Sequence, residues 1–140
     1  MKKRIQIALA VILSVSVQHA LAGIAVVVGA SSPIEPISKE EDIVKVFLGK
    51  KKTLSGSQIL PVDQTEGSPT RSVFYKDIVK KTETQLTAYW ARLIFTGKAQ
   101  APQSVGGDND VKNVVATNPN LIGYIDEGAI DDTVKVIFKK

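Results

Sequence analysis

The stretch Gly67-Ser68-Pro69-Thr70-Arg71 gathers groups that can hold an anion. Ser68 and Thr70 offer hydroxyl donors, and Gly67 lets an oxyanion come close to the backbone. Arg71 can supply a two-pronged fork to a tetrahedral anion. Ser68 is suited to cap a helix, and Pro69 to its first position, where a missing N–H costs nothing. The first amides of a helix have no partner inside it, and the aligned peptide dipoles add roughly half a positive charge there. An unoccupied helix cap has the same composition, so the segment has two readings. Ser31 and Ser32 in an earlier loop present the same choice between turn formers and ligand donors.

Other side chains carry less chemistry. Asp63 and Glu66 lie three residues apart beside an expected anion, where two carboxylates repel it unless one accepts a proton from a monoprotonated oxyanion. Tyr89, Trp90 and Phe95 fall at helical spacing and read as core. Asp131-Asp132 reads as a turn. Cysteine is absent and the single histidine is His19, which excludes disulfides, thiol nucleophiles and thiolate metal sites. An expected loss of His19 by cleavage would also remove imidazole, leaving no ordinary general base. No catalytic residue, metal ligand or cofactor is assigned, and an enzyme is not expected.

The elements that must position these groups follow from pattern. Residues 1–22 fit a secretory signal: the basic Met1-Lys2-Lys3-Arg4, an apolar run from Ile5 to Val17, then Ala20-Leu21-Ala22 as a small-x-small cleavage site. A bilayer span needs about 20 apolar residues, and Ser14, Ser16, Gln18 and His19 interrupt this run early. Residues 23–140 then form one domain. Three of the 18 Lys and Arg leave with the signal and none of the 14 Asp and Glu do, which lowers the net charge from +4 to +1. The remaining cations are spread among carboxylates, with Lys50-Lys51-Lys52 the only run of three, so nucleic acid is not an expected partner.

Ile24 to Val28 reads as a strand buried on both faces and central to its sheet. Ser38 and Glu41 have capping-box spacing ahead of a helix over 39–48. Residues 58–62 read as a second strand, and Ser68 opens the next helix. Thr82 and Gln85 form another capping box ahead of the longest helix, which Gly97 stops. Residues 102–105 read as a weak strand, and Asp108 or Asn109 caps a helix through Val115. Residues 121–125 and 134–138 are the last strands. Strands alternating with helices predict a three-layer α/β domain with a largely parallel sheet and ligand crevices at the carboxyl ends of its strands. The loops after the first two strands, 29–32 and 64–68, are expected at one such edge.

Four segments resemble the phosphate-binding proteins of ABC transporters, in the periplasmic-binding-protein superfamily. Ile43-Val44-Lys45-Val46-Phe47-Leu48-Gly49-Lys50 is similar to that family's Phe-Leu-Gly-Lys helix end. Glu66-Gly67-Ser68-Pro69-Thr70 with Phe74 is similar to its anion loop, and Tyr89-Trp90 has a counterpart there. Pro119-Asn120-Leu121-Ile122-Gly123-Tyr124-Ile125 is similar to its Gly-Tyr strand. The resemblance covers nearly all of residues 23–140, in the family's order. It implies a three-layer single lobe of a type II periplasmic-binding-protein-like fold with a mixed, mostly parallel sheet.

For function it implies a periplasmic phosphate- or oxyanion-binding protein, the substrate-binding component of a phosphate ABC transporter. Glu66, Gly67, Ser68 and Thr70 then match the anion loop, Ser31 and Ser32 the first phosphate-binding loop, and Arg71 a counter-charge. The implied partners are phosphate or a similar oxyanion, an ABC permease or another envelope protein, and a second copy that would rebuild the cleft as a homodimer. Two departures stand out: Gln64 replaces an arginine and Pro69 a glycine, removing a cation and an amide donor. The alternative is an envelope interaction protein that keeps the lobe and no longer binds a small ligand.

Overall fold

Strand β1 (Ile24–Gly29) is buried along its whole length, and its alternation divides the core in two. Ile24, Val26 and Val28 join one apolar cluster, while Ala25 and Val27 join another on the opposite face. A strand flanked by core on both sides needs helices on both sides, and the computed structural model, which describes residues 23–140, has them. The expected signal segment, residues 1–22, lies outside the described residues.

After β1 come α1 (Glu40–Phe47), a two-residue hairpin β2 (Thr53–Leu54) and β3 (Ser57–Gln58), and β4 (Leu60–Asp63). Helix α2 (Pro69–Phe74) runs straight into a π-helical turn (Tyr75–Val79), followed by α3 (Glu83–Phe95), β5 (Gln103–Ser104), α4 (Asp108–Thr117), β6 (Leu121–Asp126) and β7 (Val134–Lys139). The main sheet has the order β5-β4-β6-β1-β7. β4 pairs in parallel with β5 and β6, whereas β1 is antiparallel to both β6 and β7. Four of the five strands thus run one way, with β1 reversed among them: a mixed, mostly parallel sheet of three-layer α/β architecture.

One face carries α1, α2, the π turn and α3 through Ile43, Phe47, Phe74, Ile78, Leu86 and Trp90. The other carries α4 through Val111 and Val115. Gly29 permits the approach of α4, since a Cβ there would lie 2.3 Å from the Val115 carbonyl oxygen. No helix among the described residues is long and apolar enough to cross a membrane.

Local signals hold with three exceptions. The Thr82–Gln85 capping box forms, and Gly49 and Gly97 take the left-handed backbone that ends their helices. Helix α1, however, starts at Glu40, with Lys39 rather than Ser38 at its cap and no side-chain bond there; Glu40, Glu41 and Asp42 instead set negative charge in its first turn. Helix α4 is entered from Gly107, whose amide donates to Asp110 Oδ2 at 2.9 Å, so neither Asp108 nor Asn109 is the cap. Phe95, expected in the core, is 93% exposed because it lies five positions, about 140° around the helix, from the buried Trp90, on the outer face of α3.

Candidate ligand cleft at the strand ends

β4 and β6 are parallel neighbours, so their carboxyl ends, Asp63 and Asp126, open on the same side. Two helices begin there. α2 starts from the Ser68 cap with Pro69 in its first turn, and α4 starts at Asp108. Between them lies an open cleft of about 490 Å³, lined by Gln64, Ser68, Pro69, Thr70, Gly107, Asp108 and Asp126. Two helix starts facing one space set their orphan amides and dipole ends toward it.

The polar side chains of the cleft are linked to one another. Ser68 Oγ donates to Gln64 Oε1 at 2.7 Å and accepts from the Arg71 amide at 3.4 Å. Gln64 is fully buried and donates through Nε2 to Asp108 Oδ1 at 2.8 Å and to the Tyr124 carbonyl at 2.9 Å. Thr70 Oγ1 donates to Asp108 Oδ2 at 3.4 Å, and the Asp126 amide donates to Asp108 Oδ1 at 3.3 Å. The Asp108 carboxylate therefore collects donors of the kind an oxyanion would take.

Beneath the cleft lies a buried hub. Asp63 accepts from Arg71 Nη1 at 2.6 Å, from the Tyr75 hydroxyl at 2.7 Å, from the Gln64 amide at 2.8 Å and from the Tyr124 hydroxyl. Arg71 also holds Glu83 through Nε and Nη2, at 2.9 and 3.1 Å. Burial, then the neighbouring Asp63 charge, pushes both Tyr75 and Tyr124 well above the usual phenol range. The Arg71 hydrogen bond holds Glu83 below the usual carboxylate range. Burial disfavours the charge on Arg71, yet its bond to Glu83 and the charge of Asp63 outweigh that and raise its pKa.

The structure brings Ser68 and Thr70 into the cleft and leaves other candidates outside. Glu66 and Gly67 are exposed in the preceding turn. Gly67 is needed for its φ of +89°, not for close approach, as nothing lies within 4 Å of a Cβ built there. Arg71 is turned away and spent on Asp63 and Glu83, so it is no free counter-charge.

Ser31 and Ser32 are at the opposite end of the sheet. Because β1 runs antiparallel to β6, the end of β1 meets the beginning of β6, and Ser32 Oγ donates to the Pro119 carbonyl at 3.0 Å just ahead of that strand. The two loops do not share an edge, and the serine pair does not face Ser68.

Sequence reading missed Asp108, Asp126 and the role of Gln64. The signal for Asp126 was its place at the end of a strand parallel to β4; Asp108 sat in the first turn of a helix whose capping was misassigned.

No family model matches the sequence, and no curated protein matches it. Several solved structures are similar, three of them as follows. A putative phosphate ABC transporter substrate-binding protein with bound phosphate from Clostridium perfringens matches with a TM-score of 0.65 at 24% identity, over 82% of this chain and 44% of that one. An ABC-type phosphate transport receptor from Vibrio cholerae gives 0.63 at 21%, over 82% and 45%, and PstS from Borrelia burgdorferi 0.59 at 17%, over 82% and 46%. This chain spans less than half the length of each. These likenesses, with the sheet order and the three layers, give the chain the fold of one lobe of a periplasmic-binding-protein-like domain.

Proposed function

We propose that the chain is an exported, periplasmic solute-binding lobe for a protonated oxyanion, phosphate first, and that it serves as the substrate-binding part of a phosphate ABC transporter rather than as an enzyme. The observation that carries this is the position of an acceptor, Asp108 Oδ2, beside the hydroxyls of Ser68 and Thr70 at the meeting of two helix starts. A sulfate ion at neutral pH only accepts hydrogen bonds, so a carboxylate repels it. Monoprotonated phosphate donates its P–OH to that carboxylate and accepts from the hydroxyls and from the Thr70 amide. Rotating two hydroxyls, Ser68 away from Gln64 and Thr70 away from Asp108, readies the site without moving the backbone. The likeness to a lobe of a phosphate-bound structure supports the same reading.

The cleft is open, and ionic contacts in water are largely screened. An affinity on the order of 1 mM, about −4 kcal/mol, is expected unless a second lobe or a second copy covers it. Titrating residues 23–140 with phosphate and following backbone amide resonances tests this. Shifts centred on residues 68–71 and 107–109, abolished in Ser68→Ala/Thr70→Ala, support it; no shift at about 20 mM ligand, some twenty times that affinity, overturns it.

A second reading is an envelope interaction protein that keeps the lobe without a small ligand. The engagement of Ser68 by Gln64, of Thr70 by Asp108 and of Arg71 by Asp63 and Glu83 favours it. Absence of the phosphate shifts would leave this reading standing.

A further inference from the structure

A second groove, of about 550 Å³, lies on the far side of the Arg71–Glu83 pair, where the π turn meets the start of α3. It is bounded by the buried Tyr75, and its rim carries Ser72, Lys76, Lys80, Lys81 and Thr82. The three lysines come together through the backbone. Lys80 ends the π turn in the left-handed region, at φ +60°, and the Lys81 amide then donates to the Tyr75 carbonyl at 3.0 Å. That reversal sets Lys80 and Lys81 beside Lys76 instead of letting the chain run on.

None of the three lysines pairs with a carboxylate among the described residues. Lys81 instead lies over the Tyr89 ring, 5.5 Å from its centre. Glu83, the acid lining the groove, is already held by Arg71, and Asp77 of the same turn is not part of the lining. The Thr82 hydroxyl accepts from the Gln85 amide and keeps its proton for a further acceptor. The groove thus joins three cations that no carboxylate neutralises with the spare hydroxyl donor of Thr82, whereas the other lysine run, at residues 50–52, has Lys51 tied to Asp42.

We infer that the groove between the π turn and the start of α3, lined by Lys76, Lys80 and Lys81, is a docking surface for an acidic segment of a protein partner. Three long, flexible cations spread along an open groove match the spaced carboxylates of an extended acidic chain better than one compact anion, and such complementarity governs encounter and choice of partner. The surface is separate from the cleft of Ser68 and Asp108, so it stands or falls independently of the oxyanion reading.

The test uses residues 23–140 and a fluorescein-labelled oligoglutamate peptide, with an oligoserine peptide as blank, followed by anisotropy. Saturable binding of oligoglutamate alone is expected, weakening with salt and falling about tenfold in Lys76→Gln/Lys80→Gln/Lys81→Gln, while Lys50→Gln/Lys51→Gln/Lys52→Gln binds like the parent. Circular dichroism melts confirm that both triple variants fold. Equal loss in the two triples, no loss in the first, or no binding by the parent overturns the inference. So does tighter binding to phosphatidylglycerol vesicles than to the peptide, which would make the surface a membrane contact.

Discussion

Thr70 and Asp108, from the first turns of two different helices, face each other across the cleft with Oγ1 and Oδ2 3.4 Å apart. A hydroxyl beside a carboxylate offers both a donor and an acceptor, and that pairing separates anions that carry a proton from those that do not.

Replacing Asp108 with asparagine keeps the shape and removes the charge. Phosphate affinity should fall about tenfold, the scale of a lost charge-assisted hydrogen bond, while sulfate, no longer repelled, should bind at a comparable level. Parallel titrations of the two anions read this directly.

Arg71 should matter for stability more than for the ligand. It is 11% exposed, against 6% for Asp63, and removing one partner leaves a buried charge unpaired. Arg71→Ala should cost about 3 kcal/mol and lower the melting temperature by about 10 °C. Arg71→Lys should recover only part of this, since lysine cannot grip Asp63 and Glu83 together.

Packing gives a third test. Gly29→Ala drives a Cβ toward the Val115 carbonyl, a backbone atom that cannot swing aside. The expected loss is about 1–3 kcal/mol in urea unfolding, with the m-value unchanged.

The pH dependence has two arms. Glu83 has a folded pKa held below 4.5, so its contribution is present at neutral pH and is lost as the pH falls through that lowered value. Being partly exposed, it contributes modestly. Tyr75 and Tyr124 have folded pKa values raised above 10, so their contribution is intact below pH 10 and is lost as the pH rises beyond it. Tyr89 is raised as well, by burial. Near-ultraviolet absorbance should therefore show tyrosinate appearing above the ordinary phenol range, with that of Tyr75 and Tyr124 coinciding with loss of the fold.

Much of the fold was legible in the sequence because strand and helix periods, Gly49, Gly97 and the Thr82–Gln85 box act locally. The direction of β1 was not: an all-buried strand has the same composition in either orientation, and its reversal moved Ser31 and Ser32 to the far edge. Of the site, Ser68 and Thr70 were readable as a capped helix start. Gln64, Asp108 and Asp126 were not, because they converge from three separate segments and only the pairing of β4 with β6 brings them together. The lysine groove was hidden likewise: counting charge along the chain scatters its cations, and the turn at Lys80 gathers them.

The most direct measurement is calorimetric titration of residues 23–140 with phosphate and with sulfate at about pH 6 and about pH 8, a range that brackets loss of a phosphate proton. Weak, saturable phosphate binding at both pH values, since the anion keeps at least one P–OH throughout this range, with no heat from sulfate at either, is the predicted result. Equal binding of both anions, or no phosphate heat at either pH, would contradict the role given to Asp108.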